Sequence, residues 1–390
     1  MKEGKGQPNA AEGGESTPLH GTYAGEDPAA RRLQRMGSVT VGVSLPRAWV
    51  GERGLSVGSS VTLRALPDGS LLLRDRAPPE EPPRVRVVVT RGAPPEHIFR
   101  ELVAGYVSGA SEFELVESGG LSPETRQMAS VFSRRTVEPE IVLEGRERLV
   151  LRDVSAGSGI DVGPILRRMF ALALEMQREA GRTWVEVDAL SPSSLASRDD
   201  EVDRYAWLVE RTLALRSVPG APGVGESAIA APFQALLLAR YIERVADHAV
   251  HASENGPRLI DSRCPSRILE SLTGLHRQVI EVLAQAFAVA DLPDLRRANE
   301  VIDCTEALHA THDGLRESLF ARSNAGPLSP ASALSLAAVL ESIDRTIAYA
   351  QDIAQVGLDR AALRPRPARA RALAPSISSE TKPRGGIRTV

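Results

Sequence analysis

The sequence predicts an α+β protein of several domains whose second half is mainly helical. Three observations carry that prediction. Between 33 and 75, short apolar segments alternate with period two around turn residues. Between 84 and 153, strand and helix patterns alternate. From Val162 onward only helical periodicity remains, in a set of three helices that occurs twice. A chain of 390 residues, 42% of them hydrophobic, has material for two or three such cores.

Taken in order, residues 1–30 are rich in Gly, Glu, Pro and Ser and lack a periodic apolar pattern, so they are expected to be disordered. Residues 31–77 read as a small β unit. Ser38–Val43 alternates as a strand, Leu45-Pro46-Arg47-Ala48-Trp49 turns into a short helix or loop, and Val61–Arg64 and Leu71–Leu73 are strands joined at Pro67-Asp68-Gly69. A unit of this size makes a poor core alone, so dimerisation is expected. Pro78-Pro79-Glu80-Glu81-Pro82-Pro83 is a stiff linker. Residues 84–155 form a small α/β connecting region: strands at Val85–Val89 and Glu112–Val116, a helix at Pro95–Tyr106, and a hairpin of Glu140–Leu143 with Leu149–Leu151 across Glu144-Gly145-Arg146.

Helices are placed near 163–181, 199–217, 230–255, 265–290, 293–318 and 329–360, giving one three-helix bundle over 160–257 and a second over 262–362. The repeat rests on a few matches. Asp203 and Leu208 correspond to Asp303 and Leu308 at an offset of 100, and Glu243-Arg244 to Asp344-Arg345 at an offset of 101. The glycine-rich stretch Pro219–Gly225 is a loop between helices, and 363–390 is a basic tail, also expected to be disordered.

Composition narrows the function. The net charge of −3 excludes a uniform polycation, and with only Lys2, Lys5 and Lys382 as lysines, positive charge is almost entirely arginine. Cys264 and Cys304 have neither metal spacing nor a CxxC motif, which favours a reducing, cytoplasmic setting. No apolar run approaches a membrane span, and no signal-peptide pattern is visible. No GxGxxG follows a strand, no phosphate-binding loop occurs, and no Ser/His/Asp order is persuasive, so a non-enzymatic role is expected.

Carboxylates are the main candidates for chemistry. Glu243 and Asp247 stand four residues apart on one helical face, where like charges repel by a few tenths of a kcal/mol. If the preceding helix is an antiparallel neighbour, Asp203 approaches them, and three oxygen donors suit a hard or borderline divalent or trivalent ion. Spacing alone leaves the alternative open that Arg240 and Arg244 neutralise the pair. Asp199 to Glu201 read as acids at a helix start that complement its dipole. The second copy is poorer: Asp303 and Asp344 remain, Glu341 lies a turn before Asp344, and Ala348 stands where Asp247 was. A separate basic cluster, Arg31, Arg32, Arg35, Arg47 and Arg53 against Glu52, favours a phosphate backbone or is an ordinary solvated rim.

Two resemblances emerge from these residues. Gly37-Ser38-Val39-Thr40-Val41, Leu45-Pro46-Arg47-Ala48-Trp49, Gly54-Leu55, Val57-Gly58 and Asp68-Gly69-Ser70-Leu71 resemble an AbrB/MazE/SpoVT-type DNA-binding domain, with arginine at 35 and 47 where lysine is usual. That resemblance implies a swapped-hairpin β-barrel made by a homodimer, with Arg31, Arg32, Arg35, Ser38 and Arg47 toward DNA. Residues 160–360 resemble the phosphate-uptake regulator (PhoU) family, through Tyr241-Ile242-Glu243-Arg244-Val245-Ala246-Asp247-His248-Ala249-Val250 and its E(D)xxxD motif. That resemblance implies tandem three-helix bundles and metal held at Glu243, Asp247 and Asp203, with a weaker second site at Asp303, Asp344 and Glu341. Iron, zinc, manganese and magnesium all fit such a site. It also implies repression of phosphate uptake through a phosphate transporter or its regulatory proteins. The fusion of the two is similar to an archaeal arrangement of this regulator.

Together these readings predict a DNA-binding regulator of phosphate homeostasis with a metal-sensing helical half. The alternatives are an adaptor that docks on a transporter or sensor protein while the hairpin unit only dimerises, an antitoxin-like role without a recognisable toxin-binding tail, and an oxygen-activating metal enzyme, which lacks the expected inward Glu-x-x-His pair.

Overall fold

The computed structural model describes residues 31–37, 40–65, 69, 71–75, 83–154, 160–186, 191–217, 230–262, 264–323 and 328–363. The two tails, Ser38, Pro67-Asp68, the linker residues other than Pro83 and the 219–225 loop lie outside the described residues. The chain divides into two compact units, one of residues 1–64 with 73–78 and one of 65–72 with 79–390.

In the N-terminal region, β1 (Gln34–Arg35) pairs antiparallel with β2 (Val41–Gly42), α1 spans Arg47–Glu52, and β3 (Thr62–Ala65) pairs with β4 (Leu71–Arg74). Gly69 takes φ +83°, the left-handed conformation expected of the residue that closes this hairpin. These are two separate two-stranded ladders. The closed barrel expected from the family resemblance is not formed among the described residues of this single chain. Nor does any described residue from 31 to 75 reach the buried class, and Leu33, Met36, Val41, Val43, Val57, Leu63 and Leu71 are exposed large apolar side chains.

The second unit opens with an α/β module: β5 (Arg84–Val89), α2 (Pro95–Val107), β6 (Glu112–Glu117), α3 (Pro123–Arg135), β7 (Pro139–Glu144) and β8 (Arg148–Asp153). The sheet order is β5-β6-β8-β7; β5 runs parallel to β6 across the α2 crossover, and the other pairs are antiparallel. Its core is Leu102, Tyr106, Phe113, Leu115, Phe132 and Leu151, each fully enclosed, with Phe113 and Phe132 edge to face at 5.1 Å. Helix α3 was not anticipated from sequence.

Six helices follow: α4 (Val162–Arg182), α5 (Pro192–Ser217), α6 (Ala230–Asp261), α7 (Ser266–Asp291), α8 (Leu295–Ser323) and α9 (Pro330–Ala362). Asp161 caps α4 and Ser329 caps α9, each side chain accepting a backbone N–H of the first turn. The two three-helix sets share one continuous apolar core. Phe170 of α4 stacks on Phe287 of α7 at 4.1 Å, and Tyr241 of α6 meets Tyr349 of α9 at 6.3 Å. Where α9 crosses the end of α7, Gly357 is obligatory: an added Cβ would lie 2.7 Å from the Val289 carbonyl oxygen.

One expectation is corrected here. Helix α5 begins at Pro192 rather than near 199. The Ser191 hydroxyl accepts the Ser194 N–H at 3.3 Å, proline occupies the first helical position, and Leu195 is buried. Asp199 therefore stands two turns inside the helix and cannot be explained by its dipole.

Candidate functional site

The correction at α5 doubles the carboxylate motif. Asp199 and Asp203 are four residues apart on α5, as Glu243 and Asp247 are on α6. Arg240 on α6 meets Glu210 on α5 at 2.7 Å, while the Asp247 carboxylate acts on Asp203. Advancing along one helix thus means retreating along the other, so the pair is antiparallel and the two motifs face each other.

The electrostatics bear out that proximity. Burial, then Asp203, Asp247, Glu243 and Asp200, push the Asp199 carboxyl up to about 7. Glu243 is raised to about 7 by burial and by Asp247, with Arg244 opposing. Asp203 is raised to about 6 by burial, partly relieved by Arg135. Asp199 Oδ1 and Glu243 Oε2 are enclosed without a hydrogen-bond partner. Arg244 donates to Asp247 Oδ2 at 3.0 Å and lies 3.5 Å from Glu243 Oε2. Arg240 forms its ion pair with Glu210 and acts on Glu243 only as a smaller opposing charge, after Arg244.

A second guanidinium arrives from the α/β module. Arg135, the last residue of α3, pairs with Asp200 and reaches Asp203 Oδ2 at 3.3 Å. The placement of α3 is built from its start. Buried Glu117, at the end of β6, accepts the Ser122 N–H at 2.8 Å and the Thr125 hydroxyl at 2.9 Å. Those hydrogen bonds hold its carboxyl below the ordinary range, and an anion at a helix N-terminus suits the dipole. Arg126 then ties α3 to Glu144 at 2.6 Å.

Five carboxylates, those of Asp199, Asp200, Asp203, Glu243 and Asp247, therefore meet two guanidinium groups in contact, Arg135 and Arg244, with Arg240 acting from its pair with Glu210, a local deficit that a proton or a hard cation would fill. As the side chains stand, no three His, Cys, Asp or Glu among the described residues form a ready coordination set. The oxygen-only donors and the two orphaned oxygens nonetheless suit a hard or borderline ion.

The second candidate set differs from the first. Asn299 stands where the repeat offset would put Asp199's counterpart, and Ala348 where it would put that of Asp247. Asp303 and Glu341 are exposed. Asp344 is engaged instead by His309 Nδ1 at 3.0 Å, with His312 Nδ1 at 3.7 Å. At the N-terminus, Arg31, Arg32, Arg35 and Arg47 are all exposed.

Residues 166–256 match the PhoU domain family. The match runs from within α4 to within α6, so it contains both facing motifs and stops before the second bundle. No curated protein and no solved structure matches the chain. Among the described residues, no helix is long and apolar enough to cross a membrane.

Proposed function

We propose that this chain is a regulator of phosphate homeostasis whose α5–α6 carboxylates hold a metal ion and whose N-terminal region binds DNA as a homodimer. The carrying observation is the PhoU domain match over 166–256, which coincides with the facing pairs Asp199/Asp203 and Glu243/Asp247. A bound ion would offset the mutual repulsion of those carboxylates. Asp199, Asp203, Glu243 and Asp247 are the residues that would hold it. Iron, zinc, manganese and magnesium remain the candidate ions, and the role is regulatory rather than catalytic. Proteins with this domain act with phosphate transport proteins, so a phosphate transporter or its regulators are the partners to seek.

The homodimer reading draws on the absence of any buried described residue from 31 to 75 beside seven exposed large apolar side chains. A second copy would cover them, and Arg31, Arg32, Arg35 and Arg47 would then be doubled on one assembly. The same exposure favours a second reading, in which the hairpins only dimerise and the bundles dock on a transporter or sensor.

The deciding experiment measures phosphate uptake in cells lacking the chain and complemented with wild type, with Glu243→Ala/Asp247→Ala, or with Arg35→Ala/Arg47→Ala. Loss of regulated uptake in the null strain supports the proposal, and unchanged uptake defeats it. Failure of the arginine variant alone, with weaker duplex binding across a salt series, favours the DNA reading; full complementation by it favours the adaptor. Metal analysis of purified wild type against Glu243→Ala/Asp247→Ala tests the ion, and equal content in both removes the site.

A further inference from the structure

We propose that Arg135 is a built-in cation that competes with a metal ion for the α5–α6 carboxylates, so that the α/β module of residues 84–153 gates that site; the inference rests on the metal-binding reading above.

Arg135 is not a solvated rim charge. It ends a helix of a different module and crosses to Asp200 and Asp203 on α5. Its guanidinium carbon lies 5.5 Å from the ring centroids of both Phe99 on α2 and Trp207 on α5, and those rings meet edge to face at 6.0 Å. Its Nε is enclosed without a hydrogen-bond partner. Three elements from two modules therefore fix one guanidinium against Asp203, where a cation over aromatic faces is held more firmly than in open water.

The placement has two consequences. Asp203 Oδ2 accepts from Arg135 at 3.3 Å, and Asp203 is among the residues that would hold the ion, so the guanidinium and the ion would contend for one carboxylate. The ion and Arg135 also repel each other at this range, since little solvent screens a half-buried pair. Metal entry therefore loosens the end of α3, and by reciprocity whatever tightens α3 on α5 weakens metal binding. Arg211 keeps the module attached through a separate contact, donating to Asp153 Oδ2 and to the Tyr106 and Ala110 carbonyls, so the expected motion is local to α3.

The opposite role is equally definite in its consequences. If Arg135 orients Asp203 as a metal ligand, its removal weakens binding.

The test titrates manganese(II) into the full chain and follows the free ion by electron paramagnetic resonance. Arg135→Gln is expected to bind at least about tenfold more tightly than wild type, and Arg135→Lys to stay nearer wild type because it keeps the charge. Glu243→Gln/Asp247→Asn is the reference without a site. Hydrogen exchange on wild type needs no variant: manganese(II) should speed exchange of the amides of 123–135. Equal or weaker binding by Arg135→Gln, or unchanged or slower exchange over 123–135, overturns the competition while the metal reading stands, provided wild type binds more than the reference. No binding above the reference in any form removes the metal reading and this inference with it.

Discussion

Arg211 of α5 donates to Asp153 Oδ2 at 2.8 Å, with both side chains almost sealed from solvent. The same guanidinium donates to the Tyr106 carbonyl at 2.9 Å and the Ala110 carbonyl at 2.6 Å, and lies 4.8 Å from the Tyr106 ring. One side chain of the helical part thus satisfies three acceptors of the α/β module, from the end of α2 to the end of β8. A buried pair of this kind gives specificity of docking more than net stability, because desolvation offsets most of the attraction.

Breaking that pair is another matter. Arg211→Met should lower the unfolding free energy by about 3–5 kcal/mol, because the buried Asp153 carboxylate loses its counter-charge and the Ala110 carbonyl its donor, while the Tyr106 carbonyl keeps the Gly109 N–H. Arg211→Met/Asp153→Asn should lose less, since the stranded charge is gone. Denaturant unfolding of the three proteins checks this. A loss below about 1 kcal/mol in the single variant would mean that water replaces the guanidinium.

The carboxylates of α5 and α6 set a pH dependence. Asp199 rises from 3.8 to about 7 and Glu243 from 4.5 to about 7. Between those values the folded chain binds more protons than the unfolded one, so their contribution is fully present below about pH 4 and is lost as pH rises toward 7. His276 acts in the other direction: burial lowers it from 6.5 to about 4, so stability tied to it falls as pH drops through that range. The clean readout is therefore a difference. Asp199→Asn should melt with wild type near pH 4 and about 2 °C or more above it at pH 8, in metal-free buffer. A difference that is constant with pH would show that Asp199 does not titrate in this window.

The crossing of α9 and α7 tolerates no side chain at 357. A Cβ there meets the backbone of Val289 at 2.7 and 2.8 Å and the Ala290 nitrogen at 3.0 Å, and backbone cannot swing aside as a side-chain tip can. Gly357→Ala gains helix propensity of about 1 kcal/mol, yet overpacking of about 1–3 kcal/mol should outweigh it. Gly274→Ala, on the same helix system with nothing near its Cβ, is the control and should be neutral or stabilising. Thermal melting of both variants decides it, and equal gains would mean that the helices part freely.

The legible parts of this protein were those with strong periodicity. The five other long helices lie close to where apolar spacing puts them, and Glu243/Asp247 stood out because they share a face. Helix α3 was missed because Pro123–Arg135 has few apolar residues; its signal was the Ser122-Pro123 start, which is a cap pattern rather than a periodic one. That omission hid Arg135, whose role depends on a contact 68 residues away at Asp203. Asp199 was misread for a related reason. Counting its helix from 199 made it a dipole acid, whereas the proline start at 192 makes it half of a second motif. The contacts of His309 and His312 with Asp344 were not legible at all, because they arise only through packing of α8 on α9.

Gln177 joins four helices through one side chain. Its Nε2 donates to the Val245 carbonyl at 2.7 Å and to Thr346 Oγ1 at 3.3 Å, and its Oε1 lies 3.0 Å from His276 Nε2. Since Oε1 can only accept, His276 carries its proton on Nε2. Gln177→Leu keeps the volume but leaves that N–H buried without a partner, so about 1–3 kcal/mol should be lost. Gln177→Leu/His276→Phe removes both polar groups and should recover most of the loss, with the new ring taking the edge contact that His276 makes with Trp184 at 5.0 Å. Denaturant midpoints of the two variants settle the origin of the effect. If the double variant is no more stable than the single one, the loss comes from packing at Gly181, which already lies close to His276, and not from the orphaned donor.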